Sequence, residues 1–152
     1  MASFHSGDSM ATKREQILAA VATALTGTTG VSNRIYRSRV TAMQRAESPA
    51  IIIEPISDTP SQNTSLPTLD WRFRVRIIVI VRGDVPDQLA DPIIESMHAK
   101  MVADLTLGGL AIDVQPDEVS FNMVDGDQPA GVISMIILFN TERVSLVWRR
   151  KV

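Results

Sequence analysis

The clearest pattern in the chain runs from Trp71 to Ile77, where apolar residues alternate with Arg72, Arg74 and Arg76. Successive side chains on a strand point to opposite faces. The spacing therefore predicts a strand with Trp71, Phe73, Val75 and Ile77 on one face and the three arginines on the other. The aliphatic run Ile77 to Val81 continues it, so the strand is expected over Leu69 to Arg82, with its second half buried on both faces. Like charges along one strand face repel. Such a row predicts a surface built to meet something else, and nothing beside it suggests catalysis.

Other segments follow by the same reasoning. Thr12-Lys13-Arg14-Glu15 reads as a capping box. Ile17, Leu18, Val21, Ala22 and Leu25 then repeat at helical spacing, which predicts a helix over Lys13 to Thr26, stopped by Gly27. Arg34 to Val40 reads as a short strand. Pro49 to Pro55 reads as a second, ended by Pro55 because proline cannot donate to a ladder. Ser57 to Leu69 is rich in Ser, Thr, Asn, Pro and Asp and reads as a long loop. Asp91-Pro92 reads as a helix start, followed by a core stripe of Ile93, Ile94, Met97, Met101 and Leu105. Gly108-Gly109 closes that unit.

Leu110 to Val114 and Val119 to Met123 read as one bent strand or two short ones. Val124 to Pro129 forms a turn, and Gly131 to Glu142 a strong strand. Its Val132, Ser134, Ile136, Leu138 and Asn140 share one face; Ile133, Met135, Ile137 and Phe139 share the other. Val144 to Arg149 offers a further edge strand. The order predicts an α+β domain: a mainly antiparallel sheet of four to five strands with two helices packed on one face. Residues 1–11 are polar and aperiodic and are expected to form a flexible arm, with 12–152 as a single domain.

Composition narrows the function. The 152 residues suit one domain, and hydrophobic residues at 45% support a modest core. There are no cysteines, which excludes disulfides and thiolate metal sites. No signal peptide or membrane-length apolar stretch is visible, so the protein is expected to stay in the cell that makes it. The formal net charge of −2 is unevenly placed: residues 1–83 carry +4 and residues 84–152 carry −6. One reading is that the two signs mix within the compact domain. The other is that a basic surface of one copy meets an acidic surface of the next, a head-to-tail contact that closes into a ring if the rotation permits.

Catalytic chemistry is thinly represented. His5 lies in the arm, and His98 lies in the second helix without an H-E-x-x-H partner. No nucleophile elbow, phosphate loop or dinucleotide fingerprint occurs. Asp125 and Asp127 break off before completing a calcium loop. Asp113, Asp117 and Glu118 read as solvated acids. No catalytic residue, metal or cofactor is expected, and the chain reads as a non-enzyme. Arg34, Arg37, Arg39, Arg72, Arg74 and Arg76 remain as candidates, first for an interface between subunits or partners, second as a solvated sheet face and third for contact with nucleic acid, and the two sets are placed on neighbouring strands. Asp113, Asp117, Glu118, Asp125 and Asp127 are candidates for the acidic counter-surface. Guanidinium groups pair bidentately with carboxylates and attract phosphates by counterion release. A sequence pI near 5.6 favours the carboxylate partner.

The order of segments resembles a known family. A helix ending Leu-Thr-Gly precedes Arg34-Ile35-Tyr36-Arg37-Ser38-Arg39-Val40 and Ser48-Pro49-Ala50-Ile51-Ile52-Ile53. The arginine strand follows, then Ala103-Asp104-Leu105-Thr106-Leu107-Gly108-Gly109-Leu110, an acidic strand, and Ala130 to Thr141. This resembles the tail terminator (tail completion) proteins of long-tailed bacteriophages, over about Arg14 to Glu142. The resemblance implies a virion protein, assembled in the host cytoplasm, that forms a hexameric ring at the head-proximal end of the tail tube. Such a ring ends tube polymerisation and joins the tail to the neck. The implied partners are further copies of the chain, tail tube protein, neck or head-completion protein, sheath protein and, without sequence preference, genome DNA in the channel. A different neck or connector component is the alternative. No family site residue is carried over, because the function resides in surfaces.

Overall fold

The computed structural model describes residues 12–39, 48–61, 68–124 and 129–144. Among these the chain forms α1 (Lys13–Ala24), β1 (Ile35–Arg37), β2 (Ala50–Ser61), β3 (Thr68–Arg82), α2 (Pro86–Val102), β4 (Asp113–Val124) and β5 (Ala130–Val144). The strands make one five-stranded sheet in the order β1-β2-β3-β5-β4. β1 runs parallel to β2, and every other neighbouring pair is antiparallel. The architecture is α+β, as the order of patterns implies.

The expected parity of β3 is present. Phe73, Val75, Ile77, Val79 and Val81 are buried on one face. They meet Ile51 and Ile53 of β2 and Ile133, Met135, Ile137 and Phe139 of β5 in one cluster. Ile17, Leu18 and Val21 of α1 and Ala90, Ile93, Met97 and Met101 of α2 close the same cluster, so both helices lie on this face. Phe73 and Phe139 are register partners whose rings tilt at 43° with centroids 6.5 Å apart. On the opposite face Ile78 and Ile80 are only half-buried. The expectation of burial on both faces fails there, because no helix covers that side.

Several boundaries differ from the sequence reading, each for a local reason. Thr12 caps α1, its hydroxyl accepting from the Glu15 amide at 3.1 Å. The helix ends at Ala24, and Gly27 and Gly30 turn the chain with positive φ. β1 stops at Arg37 because Ser38 takes φ 48°. β2 does not end at Pro55. A bulge between Pro55 and Ser57 absorbs the proline, and the strand runs on to Ser61 against Asp70. β1 pairs only as far as Ile53, so beyond it β2 is an outer strand, where prolines are tolerated. Most of the expected loop Ser57–Leu69 is thus ladder, with 62–67 outside the described residues.

α2 begins at Pro86 rather than at Asp91-Pro92. Pro86 supplies the helical φ at the first turn, and Pro92 lies inside. The buried stripe starts accordingly earlier, at Pro86 and Ala90, and the expected Leu105 is exposed beyond the helix end. After α2 the Asp104 carboxylate accepts from the amides of Thr106 (3.0 Å) and Gly108 (2.8 Å). Leu107, Gly108 and Gly109 all take positive φ around it. β4 is one continuous strand bent by a bulge between Pro116 and Glu118. The expected edge strand at 144–149 lies outside the described residues apart from Val144, which ends β5.

Candidate assembly surface

β3 carries Arg72, Arg74 and Arg76 on the face away from the helices. Their register partners are Thr59 and Asn140 for Arg72, Ser57 and Leu138 for Arg74, and Glu54 and Ile136 for Arg76. The direct pair Glu54–Arg76 forms a salt bridge at 2.9 Å. Arg74 reaches across β5 to Asp117 of β4, at 3.4 Å. Arg72 is exposed and makes no ion pair among the described residues. The Nε of Arg74 is buried without a hydrogen-bond partner there. Thr59, Arg72, Arg74, Asp117 and Leu138 line a shallow hollow of about 330 Å³. Cross-strand carboxylates thus offset part of the repulsion along the row.

The other arginines occupy a different place. β2 separates β1 from β3, so the two sets are not on neighbouring strands. Arg34 donates from Nε to the Pro49 carbonyl at 2.7 Å and from Nη2 to the Gly30 carbonyl at 3.0 Å, tying a turn to the start of β2. Arg37 grips Glu15 through both nitrogens, at 3.2 and 2.9 Å, which fastens β1 to α1. That hydrogen-bonded guanidinium holds the Glu15 carboxyl below its usual pKa. Arg39 lies over the Tyr36 ring, 4.7 Å from its centre.

The acidic candidates divide similarly. Asp113 accepts hydrogen bonds from its register partner Asn140 and from Gln115. Asp117 answers Arg74 within the same chain. Glu118 faces Ile136 at the bulge of β4. Asp125 and Asp127 lie outside the described residues. His98 is exposed on α2.

Two features escape a reading by sequence. Asp58, placed there in a loop, is an inward-facing residue of β2 opposite Phe73. Its carboxylate, 7% exposed, binds Arg143 Nη1 at 2.6 Å and Arg14 Nε at 3.1 Å. Arg143 also donates to Thr141 and stacks over Trp71 at 4.9 Å. The shared parity of Trp71, Thr141 and Arg143 on their strands was the available signal. The second feature is Val119, Phe121 and Met123 on β4. They are register partners of buried Met135, Ile133 and Gly131, yet stay 40%, 57% and 46% exposed. Neither helix extends over that end of the sheet far enough to bury them.

No protein-family model matches the chain, and a search among curated proteins returns no match. Among the described residues no helix is long and apolar enough to cross a membrane, and no cluster of His, Asp or Glu has a metal-binding arrangement.

Proposed function

We propose that this chain is a structural protein of a long phage tail. In this reading it assembles into a hexameric ring on the head-proximal end of the tube, stops tube growth and presents the joint to the neck. The observation that carries the reading is the arginine row on a sheet face that neither helix covers. At that face Arg72 lacks an ion pair among the described residues and the Arg74 Nε lacks a hydrogen bond. Guanidinium groups held on a rigid sheet bind carboxylates or phosphates of a partner with fixed geometry. Acidic side chains of tube or neck protein, and the phosphates of passing DNA, are the groups such a face takes. The resemblance to tail terminators selects among these settings.

The test is tube growth. Adding the purified chain to polymerising cognate tail tube protein should arrest elongation and leave a ring visible at one tube end by electron microscopy. Tubes that grow unchecked and uncapped in its presence overturn the proposal. Binding only to tails already finished assigns the chain to the neck instead.

A further inference from the structure

We infer that residues 145–152 of one copy add a strand to the open edge of β4 in the next copy. This rests on the ring reading above and names the contact that makes the ring.

β4 is an outer strand, with one backbone edge unpaired among the described residues. Natural proteins guard such edges with charges, prolines and bulges. The first half of β4 has all three: Asp113, Asp117 and Glu118, Pro116, and the bulge after it. The second half, Val119-Ser120-Phe121-Asn122-Met123-Val124, has none. Its Val119, Phe121 and Met123 stand exposed on the helix-bearing side. A covering strand must set apolar side chains against those three and bring positive charge to the first half.

Ser145-Leu146-Val147-Trp148-Arg149-Arg150-Lys151-Val152 has that composition in that order. Leu146 and Trp148 share one face of a strand, and three bases follow them. Laid antiparallel with Leu146 opposite Phe121, the segment sets Trp148 opposite Val119, Val147 opposite Ser120 and Ser145 opposite Asn122. Arg149 then meets Glu118, which makes no ion pair among the described residues. Arg150 and Lys151 run on toward Asp117 and Asp113, and the hydrogen bonds that Asp113 accepts come from the amides of Gln115 and Asn140, not from a cation. Slippage by one residue moves Leu146 and Trp148 to the other face. A parallel strand would put the three bases beside the apolar half. Apolar pattern and charge thus agree on one direction and one parity.

That direction assigns the segment to another copy. β4 and β5 are antiparallel, so a strand antiparallel to β4 runs parallel to β5. Ser145 follows the last residue of β5 directly. Returning to run parallel to β5 requires a crossover of about a dozen residues. A strand that begins at Ser145 has no such crossover and cannot reach the edge of its own β4 in this sense. Each copy therefore gives one segment and offers one edge, a head-to-tail contact that closes into a ring if the rotation permits. Main-chain hydrogen bonds along the added strand supply affinity, and the alternate side chains supply register.

Trp148→Asp tests the segment and Phe121→Glu the edge, by sedimentation velocity at a concentration where the unaltered chain assembles. Each variant alone should remain a monomer with an unchanged circular dichroism spectrum. An equimolar mixture should form a one-to-one dimer, because each supplies what the other has lost. Oxidation reads the register: in the cysteine-free chain, Leu146→Cys combined with Phe121→Cys should give a ladder of disulfide-linked oligomers on denaturing gels. Leu146→Cys combined with Ser120→Cys should not, and equal ladders from the two pairs overturn the register. A disulfide closed only within single chains gives the segment to its own edge and overturns the inference, as does the absence of any bond. Assembly of Trp148→Asp like the unaltered chain overturns the inference and leaves the ring reading standing. Two monomeric variants that do not complement overturn the exchange between copies. An unaltered chain that neither self-associates nor caps a tube fails the ring reading, and this contact with it.

Discussion

The Asp58 carboxylate receives both arms of the Arg143 guanidinium, at 2.6 and 3.3 Å, across 85 residues of sequence. The pair ties β2 to β5 over β3, on the helix-bearing face and beyond the Phe73–Phe139 contact. Both side chains are largely covered, at 7% and 15% exposure. Removing one partner strands the other charge, which is worse than losing both.

Asp58→Ala should therefore lower the unfolding free energy by about 3 kcal/mol, measured by urea denaturation. The double variant Asp58→Leu with Arg143→Leu should lose less than the two single changes added together. Additive losses would show that the two side chains are not coupled.

The arginine row should behave oppositely. Its ion pairs are open to water, and such pairs contribute about 0.2–1 kcal/mol each. Replacing Arg72, Arg74 and Arg76 with Gln should leave the fold and its thermal midpoint nearly unchanged and weaken assembly or tail joining. Sedimentation and tube-capping assays check the second part. Unchanged assembly would remove the row from the interface, and loss of folding would make it structural.

Acid should loosen the structure through two named carboxyls. Asp104 titrates below its ordinary value, first because the Gly108 amide donates to its charged form and then because Thr106 does. Glu15 is held down first by the hydrogen bond from Arg37. A carboxyl with a depressed folded-state pKa contributes stability above its unfolded value and loses it as pH falls through the folded one. Urea midpoints should accordingly drop below about pH 4, and Asp104→Asn should drop less steeply over that range than the unaltered chain. Equal slopes would show that the turn around Asp104 contributes nothing to acid stability.

Gly131 marks a place where the sheet has no room. A Cβ there would stand 2.7 Å from the Pro86 Cβ and 3.3 Å from a Val81 methyl. Gly131→Ala should destabilise the fold by about 1–3 kcal/mol, in spite of the better strand propensity of alanine. A neutral result, read from the urea midpoint, would mean that the first turn of α2 shifts freely.

Much of this fold is legible where one signal acts alone. The two-residue alternation of Trp71 to Ile77 and of Gly131 to Glu142 fixes which side chains face inward, and Thr12 with Glu15 marks the start of α1. Errors fell where a local rule met a tertiary one. Pro55 reads as a strand end, but pairing with β3 carries β2 past it through a bulge. Asp91-Pro92 reads as a helix start, but α2 begins at Pro86, which packs against Gly131. The candidate surface was legible as a row of arginines. Its answering carboxylates Glu54 and Asp117 were not visible as partners, since both arise from register across strands. The exposure of Phe121 depends on how far two helices extend, which no local pattern encodes.

The last strand of the described residues occupies the sheet's interior: β5 lies between β3 and β4. Until it arrives, β4 has nothing to pair with, and the Phe73 side of β3 lacks half its floor. The emerging polypeptide must therefore wait for β5 before the core can close. A ribosome-stalled chain ending before Ala130 would be not a smaller version of this domain but a protease substrate.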